Sequence, residues 1–257
     1  MKRLQFVNII TVIATVTINI LSQALPFNNQ SSADIANRFT NNFFLPANYV
    51  FGIWGIIYLG MAAFAIYQSR RDSAVVRSFG WWWAIAGIGN SAWLFSFHWN
   101  QFALSMVFMV LLLVSLLAMY LKLRAPGVTL TRGERWFVSA PISLYFAWVT
   151  VATIANACYV LIDGGWDGFG IAYETWGAIM IVIGGLIAGG VAFANRDVIY
   201  AAVIVWSFTG IISRHPDVTQ VAVSAGAFAL LIGAIGLFAI VSRAFNGGST
   251  PLRPGTT

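Results

Sequence analysis

The chain has 257 residues, 59% of them hydrophobic and 9% charged, with a mean hydropathy of +0.80 and a formal net charge of +6. Soluble domains average about 25% charged residues, so this chain lacks the polar surface a soluble domain needs. Its basic balance suggests nucleic acid at first, but no basic stripe with interleaved stacking aromatics occurs, and no nucleic-acid partner is expected.

About 20 apolar residues cross a bilayer as a helix. Eight such spans are predicted, at about 4–25, 47–68, 80–98, 102–121, 136–161, 173–194, 198–213 and 221–241. Lys2 and Arg3 precede the first, and Ser22-Gln23-Ala24 near its end loosely fits a cleavage site. Leu25 and Pro26 follow and disfavour cleavage, so a retained helix is read rather than a signal peptide. Segment 26–46 is rich in Asn, Ser and Phe. A loop of this length is either a lid folded back over the helix ends or a plain connector. Spans three and four form a hairpin through the tight loop 98–101. Trp81, Trp82 and Trp83 at one end, with Trp99, Trp166 and Trp176 at the other, look like interfacial belts. Cys158 is the lone cysteine, so neither a disulfide framework nor a Cys/His metal cluster is expected. The Gly-rich acidic loop 162–175 divides a five-helix front half from a three-helix back half. In span six, Gly185 and Gly189 allow close helix approach, either within the chain or across a homodimer. Span seven is short for a crossing, and the Gly/Pro/Thr-rich tail 244–257 is expected to lack structure.

Charge asymmetry orients the bundle. With the N-terminus inside, 12 of the 14 basic residues fall on the inner side, leaving Arg38 and Arg214 outside. Both termini are then cytoplasmic, as an even helix count requires. Asp163, Asp167 and Glu174 lie outside, in or beside a wet loop, and are expected to be solvated rim residues.

No ionisable group lies inside a span, so no proton relay, nucleophile–base pair or metal site is visible. Without a mid-helix lysine there is no Schiff-base site. His98 and His215 sit at or beyond helix ends, where an interfacial role suits them better than haem ligation. The spans do carry aligned aromatic and amide stripes. Phe51, Trp54 and Tyr58 share a face of span two; Asn90, Trp93 and Phe97 share one of span three; Trp148, Ala152 and Asn156 share one of span five. Trp54 lies about 10 Å below its helix end, and Asn19, Asn90, Trp93 and Asn156 also fall in the outer half. Such stripes serve either as interhelical packing or as the wall of an uncharged cavity for a flat apolar ligand.

Three of these segments carry a family pattern. W-V-T-V-A-T-I-A-N (148–156) resembles the W-V-S-x-A-T-x-x-N signature of the translocator protein (TspO/MBR, tryptophan-rich sensory protein) family. N-S-A-W-L-F-S-F (90–97) is similar to N-x-x-W-S-x-x-F, and P-A-N-Y-V-F-G-I-W-G-I-I-Y (46–58) resembles P-P-G-W-V-F-G-P-V-W-x-x-x-Y. The matches run in family order and cover about 1–162. The resemblance implies a five-helix bundle whose pocket opens at the end holding the first long loop and takes tetrapyrroles such as protoporphyrin IX. It implies ligand contact at Trp54, Asn90, Trp93, Trp148 and Asn156, joined by Phe51 and Tyr58 of the same stripes. One residue fewer separates Phe51-Gly52 from Trp54 than in the family, a change that turns flanking side chains by about 100° in a helix. Only Pro46 remains of the Pro-Pro pair, and Ala157 stands where some bacterial members have a second pocket tryptophan.

The expected protein is thus all-α, a polytopic membrane bundle of about eight transmembrane helices in a bacterial inner membrane. Its expected units are 1–162, TspO-like; 163–243, three further helices; and 244–257, a tail. It is expected to bind a hydrophobic small molecule, with no cofactor required beyond a possible porphyrin, and to catalyse nothing. The alternatives are a transporter or permease subunit, or an intramembrane enzyme on lipids or isoprenoids that would use Asp163, Asp167 or Glu174.

Overall fold

A computed structural model describes residues 2–247, and every described element is helical. The eight long helices are α1 (Lys2–Ala24), α2 (Ile53–Arg70), α3 (Trp82–His98), α4 (Phe102–Leu123), α5 (Ala140–Asp163), α6 (Tyr173–Asn195), α7 (Val198–Arg214) and α8 (Thr219–Gly247). Each falls on a predicted span. Six stretches are long and apolar enough to cross a membrane; α3 and α7, with 17 residues each, are shorter. At 1.5 Å per residue, those two reach about 25 Å, just under the hydrocarbon thickness. The outward faces of the bundle's helices carry large apolar side chains in the open, such as Leu59 of α2 at 72% and Leu230 of α8 at 78% exposure. In water that would be a liability; in lipid it is a matched surface. The tail expected to lack structure lies outside the described residues from 248 onwards, and 244–247 continue α8.

The front helices close a ring. α1 packs on α2 and α3, α3 on α4, α4 on α5, and α5 returns to α2. α6, α7 and α8 pack on one another, and α7 also packs on α5, joining the back helices to the front ring. The connectors sort to two ends. Segment 25–52, the 99–101 turn and the 164–172 loop lie at the end described below as the cavity end. The 71–81 and 124–131 connectors and the Arg196-Asp197 turn lie at the opposite, basic end.

Several local features follow from sequence. Asn100, with φ +58°, turns the α3–α4 hairpin, a conformation asparagine tolerates well. Thr131 and Glu134 form a reciprocal capping box ahead of α5. Pro141 has no N–H to give the turn before it, and a π turn over Arg135–Ser139 carries the chain into α5. The Gly185 stripe is used inside the chain. A Cβ there would come 2.3 Å from the Phe228 ring, so glycine is what lets α6 and α8 touch.

Two belt residues depart from expectation. Trp81 is exposed, as a belt residue should be, but Trp83 is buried and stacked on Phe64 at 4.0 Å. Trp176 donates from Nε1 to the Gly168 carbonyl at 2.9 Å and packs on Trp166. Both are held by neighbours rather than by an interface alone; in the Trp81–Trp83 run, consecutive helix positions point about 100° apart and cannot all face lipid.

Candidate functional site

The front ring encloses a cavity of about 430 Å³ at one end. Six of the seven residues expected to contact ligand line it: Phe51, Trp54, Tyr58, Trp93, Trp148 and Asn156. Asn19 of α1, Phe97 of α3 and Ala152 of α5 join them. The aromatic wall is continuous. Trp54 stacks on Tyr58 at 5.8 Å and on Trp93 at 5.9 Å, with planes within 24° and 22°. Trp148 meets Trp54 edge-on at 6.1 Å, and Phe51 meets Trp148 edge-on at 5.7 Å. Edge-to-face and offset stacks are the favoured aromatic geometries, so these rings hold one another in fixed orientations.

The residue missing between Gly52 and Trp54 does not separate Phe51 from Trp54. Residues Asn48–Gly52 form a 3-10 turn that runs into α2. In a 3-10 turn positions i and i+3 eclipse, so Phe51 and Trp54 keep a common face.

Asn90 is the exception. It is fully buried and does not line the cavity. Its Oδ1 accepts from Asn19 Nδ2 at 2.7 Å, and its Nδ2 donates to the Tyr145 hydroxyl at 2.8 Å. Tyr58 donates to Asn19 Oδ1 at 2.8 Å, so one ladder of bonds ties α2, α1, α3 and α5 together behind the wall. Asn156 is bonded as well, accepting from Trp93 Nε1 at 3.1 Å and pairing with Ser105 at 3.1–3.2 Å. Buried amides without such partners would cost about 1–3 kcal/mol each. One buried donor beside the cavity, Trp148 Nε1, has no partner.

Segment 25–52 is folded, which resolves the choice between lid and connector in favour of a roof. Ser31 and Asp34 cap a short helix, Ser32–Arg38, and the two bonds from Ser31 hold the Asp34 carboxyl below the usual carboxylate range. Ser32, Ala36, Leu45, Pro46 and Asn48 face the cavity. His98 pins the roof on one side: its Nε2 lies 3.0 Å from Ser32 Oγ, and its carbonyl accepts from Asn28 and Gln30. Phe27 stacks on Phe95 at 5.0 Å, and Phe39 packs edge-on against Tyr159 at 4.9 Å. The histidine is therefore a structural pin and does not reach the cavity.

The other side of the roof rests on α7. Ala47 N–H donates to the Gly210 carbonyl at 3.0 Å, and Trp206 Nε1 donates to the Val50 carbonyl at 3.4 Å. Arg214 donates to Asn37 Oδ1 at 3.3 Å and to Asn48 Oδ1 at 3.4 Å. Nothing in the local sequence signals these contacts, which join positions some 160 residues apart. The same holds for the ion pair at the basic end, where Asp197 meets Arg124 and accepts from Ser143 at 2.7 Å and Tyr120 at 3.0 Å.

Asp163, Asp167 and Glu174 do not line the cavity, and Asp167 caps its own turn by accepting from Phe169 N–H at 2.9 Å. Ala157 borders a separate, smaller cavity beside α6. Among the described residues no group of His, Cys, Asp and Glu is placed to hold a metal.

The sequence model of one protein family, described as TSPO-like protein, matches residues 5–240. The match continues through α6, α7 and most of α8, beyond the front ring to which the quoted motifs are confined. No curated protein and no solved structure matches.

Proposed function

The chain belongs to the TSPO-like protein family, and from that premise we propose that its cavity binds a flat, hydrophobic, tetrapyrrole-like molecule in the service of sensing or transport, without catalysis. The observation that carries this reading is the convergence of the Trp54, Trp93 and Trp148 rings on one cavity of about 430 Å³. That volume lies within the range of small-molecule sites, which pair an apolar wall with a few polar groups. Here the polar groups are the amides of Asn19, Gln23, Asn48 and Asn156, with Ser32 in the roof. The partnerless Trp148 N–H is a donor for an acceptor at the ligand's edge.

The lining reaches no deeper along α5 than Trp148 and along α2 than Tyr58. Below them Asn90 and Tyr145 are buried and bonded to each other. A pocket closed at that depth favours binding over conduction. The enzyme reading has no acid in the cavity to work with.

The test is a tryptophan-fluorescence titration of the detergent-solubilised protein with protoporphyrin IX. Removing one stacking aromatic forfeits about 0.5–1.5 kcal/mol beyond lost area, so Trp54→Ala should weaken binding about two- to twelvefold or more. Trp82→Ala, at the basic end, should leave it unchanged. Equal losses in the two variants, or no saturable quenching in the parent protein, would defeat the proposal.

A further inference from the structure

A second cavity, of about 260 Å³, lies at the basic end between the first turns of α1, the last turn of α2 and the connector that follows. Its floor is a lattice of three amides. Gln5 Nε2 donates to the Gln68 carbonyl at 2.7 Å, Asn8 Nδ2 donates to Gln68 Oε1 at 2.9 Å, and Gln68 Nε2 reaches the Gln5 carbonyl at 3.4 Å. The lattice leaves one acceptor over. Asn8 is 3% exposed, lines the cavity, and its Oδ1 has no hydrogen-bond partner. Native structures seldom leave such an atom unpaired, and when they do a missing ligand or water is the first explanation.

The rim is charged. Arg77 pairs with Asp72 across it. Arg71 is exposed, lines the cavity, and makes no ion pair among the described residues. A cation at the mouth and a neutral acceptor at the floor ask for an anion carrying a hydrogen-bond donor. Since the cavity sits where α1 and α2 leave the apolar layer, it lies at headgroup level. Its volume equals about nine waters at roughly 30 Å³ each, enough for a small headgroup and too little for a tetrapyrrole.

We propose that this cavity holds the phosphoethanolamine headgroup of a membrane phospholipid, the phosphate on Arg71 and the ammonium donating to Asn8 Oδ1. The site is separate from the tetrapyrrole cavity and does not depend on that reading.

Native mass spectrometry of the full chain, with added phosphatidylethanolamine or phosphatidylcholine, tests it. The choline headgroup carries the same phosphodiester but has no N–H to donate. The ethanolamine lipid should be retained at least fivefold more than the choline lipid. Arg71→Gln, at the exposed rim, should cut retention of the ethanolamine lipid several-fold while tetrapyrrole binding is kept. Asn8→Leu should erase the preference between the lipids; should that variant fail to fold, Asn8→Asp should enlarge the preference instead. Equal retention of the two lipids by the parent protein, or an unchanged preference in a folded Asn8 variant, overturns the proposal. Soluble glycerophosphoethanolamine that competes as well as the lipid overturns the assignment to a membrane source.

Discussion

Gly210→Ala tests whether the back helices hold the roof of the cavity. A Cβ at residue 210 would lie 2.1 Å from Val50 Cγ2 and 3.1 Å from Pro46 Cβ. Carbon atoms rest at about 3.5–4.0 Å, so α7 and the 46–50 segment must part by about 1.5 Å. Val50 is fully buried and cannot swing clear. Overpacking of this kind costs about 1–3 kcal/mol. The displacement falls on Pro46 and on the Ala47–Gly210 hydrogen bond, and Leu45, Pro46 and Asn48 all line the cavity. Thermal unfolding in detergent should show the loss of stability, and the porphyrin titration should show binding several-fold weaker. Val50→Ala removes the obstructing methyls and alone costs about 1.6 kcal/mol at 0.8 per methylene-sized group. The double variant should then be more stable than the two losses summed, by at least 0.5 kcal/mol. Additive losses, or a Gly210→Ala protein indistinguishable from the parent, would refute the idea that α7 buttresses the roof.

Three further outcomes are expected. Asp197→Asn leaves Arg124 without its counter-charge in a mostly buried site, and should cost about 3 kcal/mol, since Arg124 keeps some contact with solvent; Arg124→Gln in the same chain should recover much of that loss in a thermal melt. His215 packs on Phe43 between α7 and α8, and burial, then the charge of Arg214, lower its pKa, with a hydrogen bond to the Leu45 backbone opposing them. A depressed folded pKa means stability that is present above the unfolded value of about 6.5 and is lost as pH falls below it; melts between pH 7.5 and 5.5 should show that loss, and His215→Gln should lessen it. A reporter fused after Thr257 should read as cytoplasmic, because that orientation puts 12 of the 14 basic residues inside; a C-terminus on the far side would mean that one of the eight helices does not cross.

The eight helices were legible because helix formation in a bilayer is a local matter. A run of apolar residues must satisfy its backbone hydrogen bonds internally and must be long enough to span. The stripes were legible for the same reason: a 3.6-residue period gives each side chain a direction on its own helix, and Trp54, Trp93 and Trp148 point where that period aims them. The period says nothing about what stands opposite. Asn90 shares a face with Trp93, yet it meets Asn19 and Tyr145 instead of open space because α1 wedges against that turn of α3. Trp83, two positions from the exposed Trp81, turns inward onto Phe64. The roof's dependence on Gly210, Trp206 and Arg214, and the Arg124–Asp197 pair, had no trace in spacing or composition. These contacts join segments far apart in the chain, and they exist only once α7 has packed on α5. Apolar periodicity selects the elements and the faces; the choice of partner for each face is made by the packing of the whole bundle, where close approach at a glycine and the pairing of buried polar atoms decide which arrangement is lowest in free energy.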